Sequence, residues 1–469
     1  MIRKKVPGLG NAVSACILLM VVLLPITNIY AQNITQKLQK AFLMFEEDSQ
    51  LAHAVSSLYV IDAATGKVVF DKNSRIGLAP ASTQKVITSA TAFALLGKDF
   101  SYTTSFATNN LDSTLYIFPS GDPTLGSERW ENTKANAILN RITRSLEQNK
   151  KNINTIVIDN SRWEFDYIPD GWIWQDIGNY YGAGCEKLNW RENQYDLLLQ
   201  SGKALGDSVR MVGANPKLYG YSLRSAVTSA ARGTGDNAYI YFPLNDTAGI
   251  VKGTIPVNEN AFAISGAFPS GARQFIAELT DKMIKTGVGE TVPEIKQAAL
   301  PGAEDYTIIH TEISPPLDSI IYWFNKKSIN LYGEALLKTI SYKESGYSAT
   351  DTGVTVVKNF WKQNGINAAE LNIVDGSGLS PLNRVTTHAQ VQILQYAQKQ
   401  SWFPSFLKSL PVYNGMKMKS GTIRNVKGFT GYHTSSNGSS YIFSFLVNNY
   451  NGPASSLVRK MYTVLNALK

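Results

Sequence analysis

Two residues that could support nucleophilic catalysis stand three positions apart near the start of the chain. In "LAPASTQKVITSATAFALLG", Ser82 precedes Lys85 where an apolar run with helical periodicity begins. A serine hydroxyl is a poor nucleophile and needs a base within hydrogen-bond reach. Lys85 would be that base if burial and nearby positive charge lowered its pKa. The same two residues would equally suit an ordinary helix start with a solvated lysine.

Two later stretches carry residue types that would complete such a site. "NKKSINLYGEALL" contains Ser328 and Asn330 as S-x-N, and "MKMKSGTIRNVKGFTGY" contains a K-S-G-T element that begins at Lys419. S-x-x-K, S-x-N and K-[ST]-G in this order are shared by serine β-lactamases and penicillin-binding proteins. No histidine lies in the three elements, so Lys85 is the candidate base among them.

The chemistry of each group suggests a role in amide hydrolysis. Ser328 could relay a proton to the leaving nitrogen, and Asn330 could hold the acyl amide with its carboxamide. The backbone N–H groups of Ser82 and Thr422, beside a helix N-terminus, could form an oxyanion hole. A cation and two hydroxyls suit a substrate carboxylate. The predicted carboxylate-binding residues are Lys419, Ser420, Gly421 and Thr422.

Much of the chain resembles the D-alanyl-D-alanine carboxypeptidase/endopeptidase family of low-molecular-mass penicillin-binding proteins, in the class C type with a large insertion after S-x-x-K. The similar stretches are "PASTQKVITSA", "SGDPTLG", "DGWIWQDIGNYYGAG", "KSINLYGEALL", "VDGSGLSPLNRVT" and "KSGTIRNVKGFTGY". The resemblance implies an α/β (α+β) catalytic domain like that of serine β-lactamases and DD-peptidases. Its antiparallel sheet would be flanked by helices, and the inserted region would be large and mostly β.

The resemblance also implies a function. The expected enzyme is a serine-type hydrolase that cleaves peptidoglycan stem peptides as a carboxypeptidase, an endopeptidase or both. It would act through an acyl-enzyme on Ser82 and would be acylated by β-lactam antibiotics. Asp176 in "GWIWQD" could meet the amino group of a diaminopimelate side chain beside Tyr181, although an exposed turn aspartate stays an alternative. Some relatives have arginine after "SGLS" where this chain has Pro381, so a second salt bridge to that side chain is not supported.

Two other functions remain open at this stage. A serine β-lactamase or esterase would use the same three elements, but class A β-lactamases carry a deacylating glutamate between S-x-N and K-[ST]-G. The similar string "EKLN", at 186–189, lies before Ser328 and lacks that spacing. A cell-wall-binding protein without catalytic activity is the other alternative. In "DGSGLS", Asp375 and the glycines are expected to shape a turn beside the site rather than to react.

The elements that must position these residues suggest a discontinuous catalytic domain. A hairpin around "AATG" and the helix after Ser82 stand at the front, and two strands around an Asn437-Gly438 turn and a final helix stand at the back. Between them lie short β-like runs with one clear helix that ends at Gly287. The predicted division is a first catalytic part at 32–98, an inserted region at 99–300 and a second catalytic part at 301–469.

The first residues predict export. Residues 1–31 combine a basic start, a short apolar run and a small residue, Ala31, which is typical of a cleaved signal peptide and predicts a periplasmic enzyme. The formal charge of +9 is spread along the chain, which disfavours nucleic acid and is compatible with peripheral association with a membrane. Cys185 is the one cysteine outside the predicted signal peptide, and the four histidines lack ligand spacing. No metal or cofactor is therefore expected.

Overall fold

The computed structural model describes residues 34–109, 113–149, 152–244, 246–289 and 291–469. The predicted signal peptide, at 1–31, lies outside these ranges. Of the helices that the structure describes, none has both the length and the apolar composition required to cross a bilayer.

A six-stranded antiparallel sheet joins the front and the back of the chain. β1 pairs along its whole length with β19, from Val55 opposite Asn448 to Asp62 opposite Tyr441. In spatial order the strands are β16 (Val412–Tyr413), β17 (Met416–Ile423), β18 (Val426–Thr434), β19 (Ser440–Asn448), β1 (Val55–Asp62) and β2 (Val68–Lys72).

Helices cover both faces of this sheet because β1 and β19 are apolar on both sides. The first and last long helices, α1 and α11, pack on one face around Phe443 and Phe445, and α2, α7 and α9 pack on the other around Ile442 and Leu446. The helices are α1 (34–46), α2 (Lys85–Leu96), α3 (Ala135–Gln148), α4 (Trp174–Ile177), α5 (Gly271–Thr286), α6 (Leu317–Lys327), α7 (Asn330–Ser345), α8 (Thr350–Gln363), α9 (Thr387–Gln398), α10 (Phe403–Ser409) and α11 (Ala454–Leu465).

The middle of the chain builds separate sheets. One has five strands, in the order β12 (Glu294–Ala298), β5 (Thr155–Asp159), β4 (Thr114–Phe118), β3 (Thr103–Thr108) and β13 (Thr307–Ile313), and shares an apolar core with α3 and α5. Two three-stranded sheets pack together over another core. They are β8 (Ser222–Ala230), β10 (Ala248–Pro256) and β9 (Asn237–Tyr241), and β11 (Phe262–Ala267), β6 (Gln194–Gln200) and β7 (Arg210–Asn215). β14 (Leu371–Asn372) and β15 (Arg384–Val385) form a short pair.

The antiparallel sheet between helices confirms the predicted fold class. Two details differ from the sequence prediction. The five-stranded sheet includes β13, so it extends past the predicted boundary at residue 300, because β13 pairs with β3 across the insertion. α3 is a second long helix in the inserted region, and it buries Ile138, Ile142 and Leu146 on one face. The division into catalytic and inserted parts otherwise stays a prediction.

Candidate active site

Ser82 lies on a strained turn that two other segments hold in place. It belongs to a single 3-10 turn, Ala81–Gln84, which leads directly into α2, and Ala81 before it has a φ of 47°. A Cβ on Gly421 would lie 2.5 Å from the carbonyl oxygen of Pro80, and one on Gly378 would lie 2.0 Å from that of Ala81. Because glycine has no side chain, β17 and the loop around Gly378 can approach the turn closely at these two positions.

Lys85 is fully buried and points at Ser82. Its Nζ lies 3.0 Å from Ser82 Oγ, 2.6 Å from Asn330 Oδ1 and 2.7 Å from the carbonyl oxygen of Ser377. Burial lowers the pKa of Lys85 to about 7, although the carboxyl groups of Asp375 and Glu334 act in the opposite direction. A substantial fraction of Lys85 is therefore the neutral amine near neutral pH.

The hydrogen bonds around Lys85 fix where its lone pair points. A neutral amine has two N–H groups and one lone pair. Asn330 Oδ1 and the Ser377 carbonyl oxygen can only accept, so they take the two N–H groups, and the lone pair is left for the hydroxyl of Ser82. This is the orientation that a general base for a serine nucleophile requires.

Asn330 connects this lysine to the inserted region. Its Nδ2 donates to the carbonyl oxygen of Tyr181 at 2.7 Å, while its Oδ1 accepts from Lys85. Both ends of the carboxamide are thus engaged within the protein. The structure places Asn330 against Lys85, and its predicted contact with a substrate amide stays a prediction.

Lys419 and Ser328 form the opposite side of the site. Lys419 is 2% exposed, and its Nζ lies 3.0 Å from Ser328 Oγ and 2.9 Å from the carbonyl oxygen of Ser420. Burial, then the charges of Lys85 and Lys427, lower the pKa of Lys419 well below its usual value. Ser328 has a φ of 58° at the junction of α6 and α7, a strained conformation that turns its hydroxyl into the site.

A third lysine, which the sequence analysis missed, lies beside the predicted carboxylate receptor. Lys427 on β18 stands opposite Thr422 on β17, and its Nζ donates to Thr422 Oγ1 at 2.7 Å. Burial lowers the pKa of Lys427. Its sequence, "NVKGFTGY", gives no motif signal, and the cross-strand register alone brings it to the site. Ser420 is half-buried and Gly421 is buried against the nucleophile turn.

Two buried carboxyl groups beneath Lys85 differ in how they are stabilised. Asp375 is fully buried and accepts several N–H groups, which stabilise a carboxylate. The donors are Gln84 Nε2, Trp172 Nε1, Asn383 Nδ2 and the backbone N–H groups of Gly378 and Ser380. Glu334 is 1% exposed, and its Oε2 accepts from the N–H of Gly376 at 2.9 Å. Its Oε1 has no hydrogen-bond partner among the residues described.

The environment of Glu334 changes its pKa. Burial and the neighbouring charge of Asp375 raise the pKa of Glu334 to about 8. Asp375 accepts the N–H groups of Gly378 and Ser380 and thereby shapes its own loop, as the sequence predicted. Glu334 has the geometry of a neutral acid one helical turn beyond Asn330. The sequence analysis did not identify Glu334, because its polar environment depends on tertiary packing.

Asp176 lies on α4 in the inserted region, near Tyr181, whose carbonyl oxygen accepts from Asn330 Nδ2. It is half-buried on α4, and burial raises its pKa to about 6. The charge of Asp176 contributes to the raised pKa of Tyr181, which places the two side chains near each other. The guanidinium of Arg384 donates to the carbonyl oxygens of Pro381 and Asn383, so it is held by its own loop.

Glu186, in the string that resembles a β-lactamase element, has a structural environment. Its carboxylate accepts from Ser270 Oγ at 2.7 Å and from the N–H of Ala272 at 3.1 Å. These contacts cap the start of α5. No contact joins Glu186 to Ser82 in the described part of the chain.

The sequence matches the D-Ala-D-Ala carboxypeptidase 3 (S13) family over residues 38–468, which include every element of the site. The chain belongs to this family. It is therefore a serine peptidase, a hydrolase of the D-alanyl-D-alanine carboxypeptidase type, and the family resemblance seen in the sequence is confirmed.

Individual relatives of the S13 family agree with this assignment. The D-alanyl-D-alanine carboxypeptidase of Actinomadura sp. (strain R39) is 25% identical over 98% of this chain and 91% of that protein. D-alanyl-D-alanine carboxypeptidase DacB of Haemophilus influenzae is 22% identical over 95% of this chain and 94% of that protein. The crystal structure of penicillin binding protein 4 (dacB) from Haemophilus influenzae superposes with a TM-score of 0.75 at 19% identity, covering 93% of this chain and 98% of that chain. This S13 chain therefore has the same fold.

Proposed function

We propose that this S13 peptidase cleaves peptidoglycan stem peptides through an acyl-enzyme on Ser82. The observation that carries the proposal is the position of Lys85, whose Nζ lies 3.0 Å from Ser82 Oγ while two acceptors hold its other N–H groups. A buried amine with a pKa of about 7 can accept the serine proton at neutral pH.

Acylation would begin when Ser82 Oγ attacks the carbonyl carbon between two D-alanine residues. The hydroxyl proton passes to Lys85, and the N–H groups of Ser82 and Thr422 stabilise the oxyanion. The C–N bond then breaks, and the proton held on Lys85 passes through the hydroxyl of Ser328 to the leaving nitrogen, so that Lys85 is again a neutral amine. The strain at Ala81 and Ser328 keeps both hydroxyl groups oriented before the substrate arrives.

Deacylation would use Lys85 as the base again, this time for a water molecule. Water attacks the ester on Ser82, and its proton passes to Lys85 as the tetrahedral intermediate forms. The ester bond breaks, Ser82 recovers a proton from Lys85, and the peptide leaves with a new carboxylate. No cofactor enters these steps, since each proton moves between side chains, substrate and water.

The substrate carboxylate would bind between Lys419 and the β17 hydroxyls. Lys419 supplies the charge, Ser420 and Thr422 supply hydroxyl groups, and Lys427 adds a second cation next to Thr422. Asp176 would receive an amino group on the substrate side chain, as a half-buried carboxylate near Tyr181. A terminal D-alanine and a cross-bridge with a D-centre both carry a carboxylate beside the scissile nitrogen, so one site could serve carboxypeptidase and endopeptidase reactions.

The same receptor would bind β-lactam antibiotics, which present a carboxylate beside a reactive amide. One solved structure of penicillin binding protein 4 from Haemophilus influenzae, with a TM-score of 0.69 to this chain, is a complex with a β-lactam. For this chain, export to the periplasm through the segment at 1–31 would bring the enzyme to peptidoglycan.

Digestion of purified peptidoglycan tests the proposal and divides its two reactions. Release of free D-alanine from pentapeptides shows carboxypeptidase activity, and conversion of cross-linked dimers to monomers shows endopeptidase activity. The Ser82→Ala enzyme should give neither product. Intact peptidoglycan after prolonged incubation with wild-type enzyme would contradict the proposal and favour a wall-binding protein without catalysis. Fast turnover of penicillin without attack on peptidoglycan would favour a β-lactamase.

A further inference from the structure

An exposed sheet face beside the candidate site carries aromatic rings and cations. In the sheet β8-β10-β9, alternate residues such as Val227, Ile240 and Val251 are buried against the sheet β11-β6-β7. The residues between them point away from that core. The outer face is defined here by Arg224, Tyr239, Tyr241, Ile250 and Lys252.

The strand register arranges these side chains in two rows. Ile250 pairs with Arg224 on one side and Tyr241 on the other, and Lys252 pairs with Tyr239. No residue of the three strands is acidic. Neither Arg224 nor Lys252 has an ion-pair partner among the residues that the structure describes. The three strands therefore contribute two cations and no acid to the outer face.

A tryptophan extends the outer face towards the candidate active site. Trp174 is 54% exposed, and its ring centroid lies 5.0 Å from that of Tyr241 at an interplanar angle of 62°. Lys252 Nζ lies 5.9 Å from the Trp174 ring and 5.4 Å from the Tyr241 ring. These rings border a shallow groove of about 490 Å³ that also includes Arg224 and Ile250.

One short helix links the groove to the site. Trp174 of α4 borders the groove, and α4 also contacts the turn Tyr180–Gly182, where the carbonyl oxygen of Tyr181 accepts from Asn330 Nδ2. α4 itself packs against β9, where Asn179 Oδ1 accepts from the N–H of Ile240 at 3.0 Å.

We propose that the outer face binds the sugar backbone of a peptidoglycan strand whose stem peptide enters the active site. Pyranose rings present C–H faces that stack on exposed aromatic rings such as Trp174 and Tyr241. Their hydroxyl and acetamido oxygens accept hydrogen bonds from Arg224 and Lys252. The two cations also suit a polymer that carries carboxylates on its branches. The inference rests on the proposed function, since it takes peptidoglycan as the substrate.

Binding of glycan strands freed of their stem peptides by an amidase tests this inference on the full chain. Wild-type enzyme should bind the strands, and Trp174→Ala and Lys252→Ala should each raise the Kd by about tenfold or more, the scale of an aromatic or cationic hot spot. The matched control is Tyr347→Ala, which removes another exposed aromatic ring, between α7 and α8, and should bind like wild type. Thermal melting checks that every variant is folded.

Two further measurements distinguish glycan binding from general attraction of polyanions to the cations, and from an effect on catalysis. For Lys252→Ala, the ratio of cleavage of intact peptidoglycan to cleavage of free stem peptide should fall by about fivefold or more. Uncharged chitin oligosaccharides should compete for the glycan site. If wild type fails to bind glycan, if all variants bind equally, or if dextran sulfate competes and chitin oligosaccharides do not, the inference is wrong. Penicillin labelling of Ser82 in those cases would leave the proposed function standing.

Discussion

Asn330 Oδ1 accepts a hydrogen bond of 2.6 Å from Lys85 Nζ, although the two residues are 245 positions apart in the chain. This bond engages one N–H of the lysine, and the Ser377 carbonyl oxygen engages a second. Two acceptors thus orient the proposed base, and its lone pair is left for the hydroxyl of Ser82. The asparagine of the S-x-N element therefore contacts the proposed base.

Replacement of Lys85 by arginine tests whether a neutral amine is needed. Arginine keeps the positive charge but stays protonated in proteins. We expect acylation by a fluorescent penicillin to slow by roughly a hundredfold or more, the usual scale for loss of a general base. Stopped-flow labelling measures the rate. An arginine enzyme that acylates at nearly the wild-type rate would make the role of Lys85 purely electrostatic.

The pKa of Lys85, at about 7, predicts how acylation depends on pH. The amine is the reactive form, so the rate should fall as the pH falls below about 7, by roughly tenfold for each unit once most of the lysine is protonated. Above this pKa the rate should level off. Second-order rate constants of acylation, measured from pH 5 to pH 8, report the free enzyme and give the midpoint. A rate that is constant over this range would exclude Lys85 as the titrating base.

Glu334→Gln tests whether this buried carboxyl group is neutral. The folded-state pKa of Glu334, about 8, lies above its ordinary value of 4.5, so the wild type loses stability as the pH rises between these values. Glutamine does not titrate and still offers an oxygen to the N–H of Gly376. The Tm of the variant should therefore rise relative to wild type from pH 5 to pH 8, and acylation at pH 7 should be retained.

Two observations complete the test of Glu334. Glu334→Ala, the control, leaves the N–H of Gly376 without its acceptor and should cost about 1–3 kcal/mol in the free energy of unfolding. An ionised Glu334 would raise the pKa of Lys85, so a neutral Glu334 predicts nearly the same pH midpoint of acylation for wild type and Glu334→Gln. A Tm difference that does not change with pH would mean that Glu334 is already ionised.

Lys419→Ala tests the carboxylate receptor. A charge-assisted hydrogen bond contributes about 1.5–3 kcal/mol, so wild type should cleave a D-alanyl-D-alanine peptide roughly ten- to a hundredfold better in kcat/KM than its carboxamide analogue. The alanine variant should discriminate far less between the two. Equal cleavage of acid and amide by wild type would contradict the assignment of Lys419, Ser420 and Thr422.

The residues that lie in short motifs could be predicted, and those brought in by packing could not. Ser82, Lys85, Ser328, Asn330 and Lys419 stand in local patterns, and the structure brings all five to one place. Their pairing with other groups depends on contacts distant in sequence. Examples are Lys427, which arrives through strand register, and Glu334 and the carbonyl oxygens of Ser377 and Tyr181, which arrive through packing.

In the fold, too, local patterns could be predicted and contacts distant in sequence could not. The front hairpin and the last strands were predicted from alternation and turn residues, and the shared sheet follows from their pairing. The amphipathic pattern of α3 was present in its sequence but was overlooked among short β-like runs. The extent of the five-stranded sheet to β13 depends on which strands pair, and pairing between distant strands is not encoded in a local pattern.

Mass spectrometry of the enzyme after incubation with penicillin tests the central claim most directly. The account predicts a long-lived adduct of one antibiotic molecule, mapped by peptide digestion to Ser82. Ser82→Ala should keep the wild-type Tm and give no adduct. An adduct on another residue, or an adduct that persists in the folded Ser82→Ala enzyme, would contradict the assignment of Ser82 as the nucleophile.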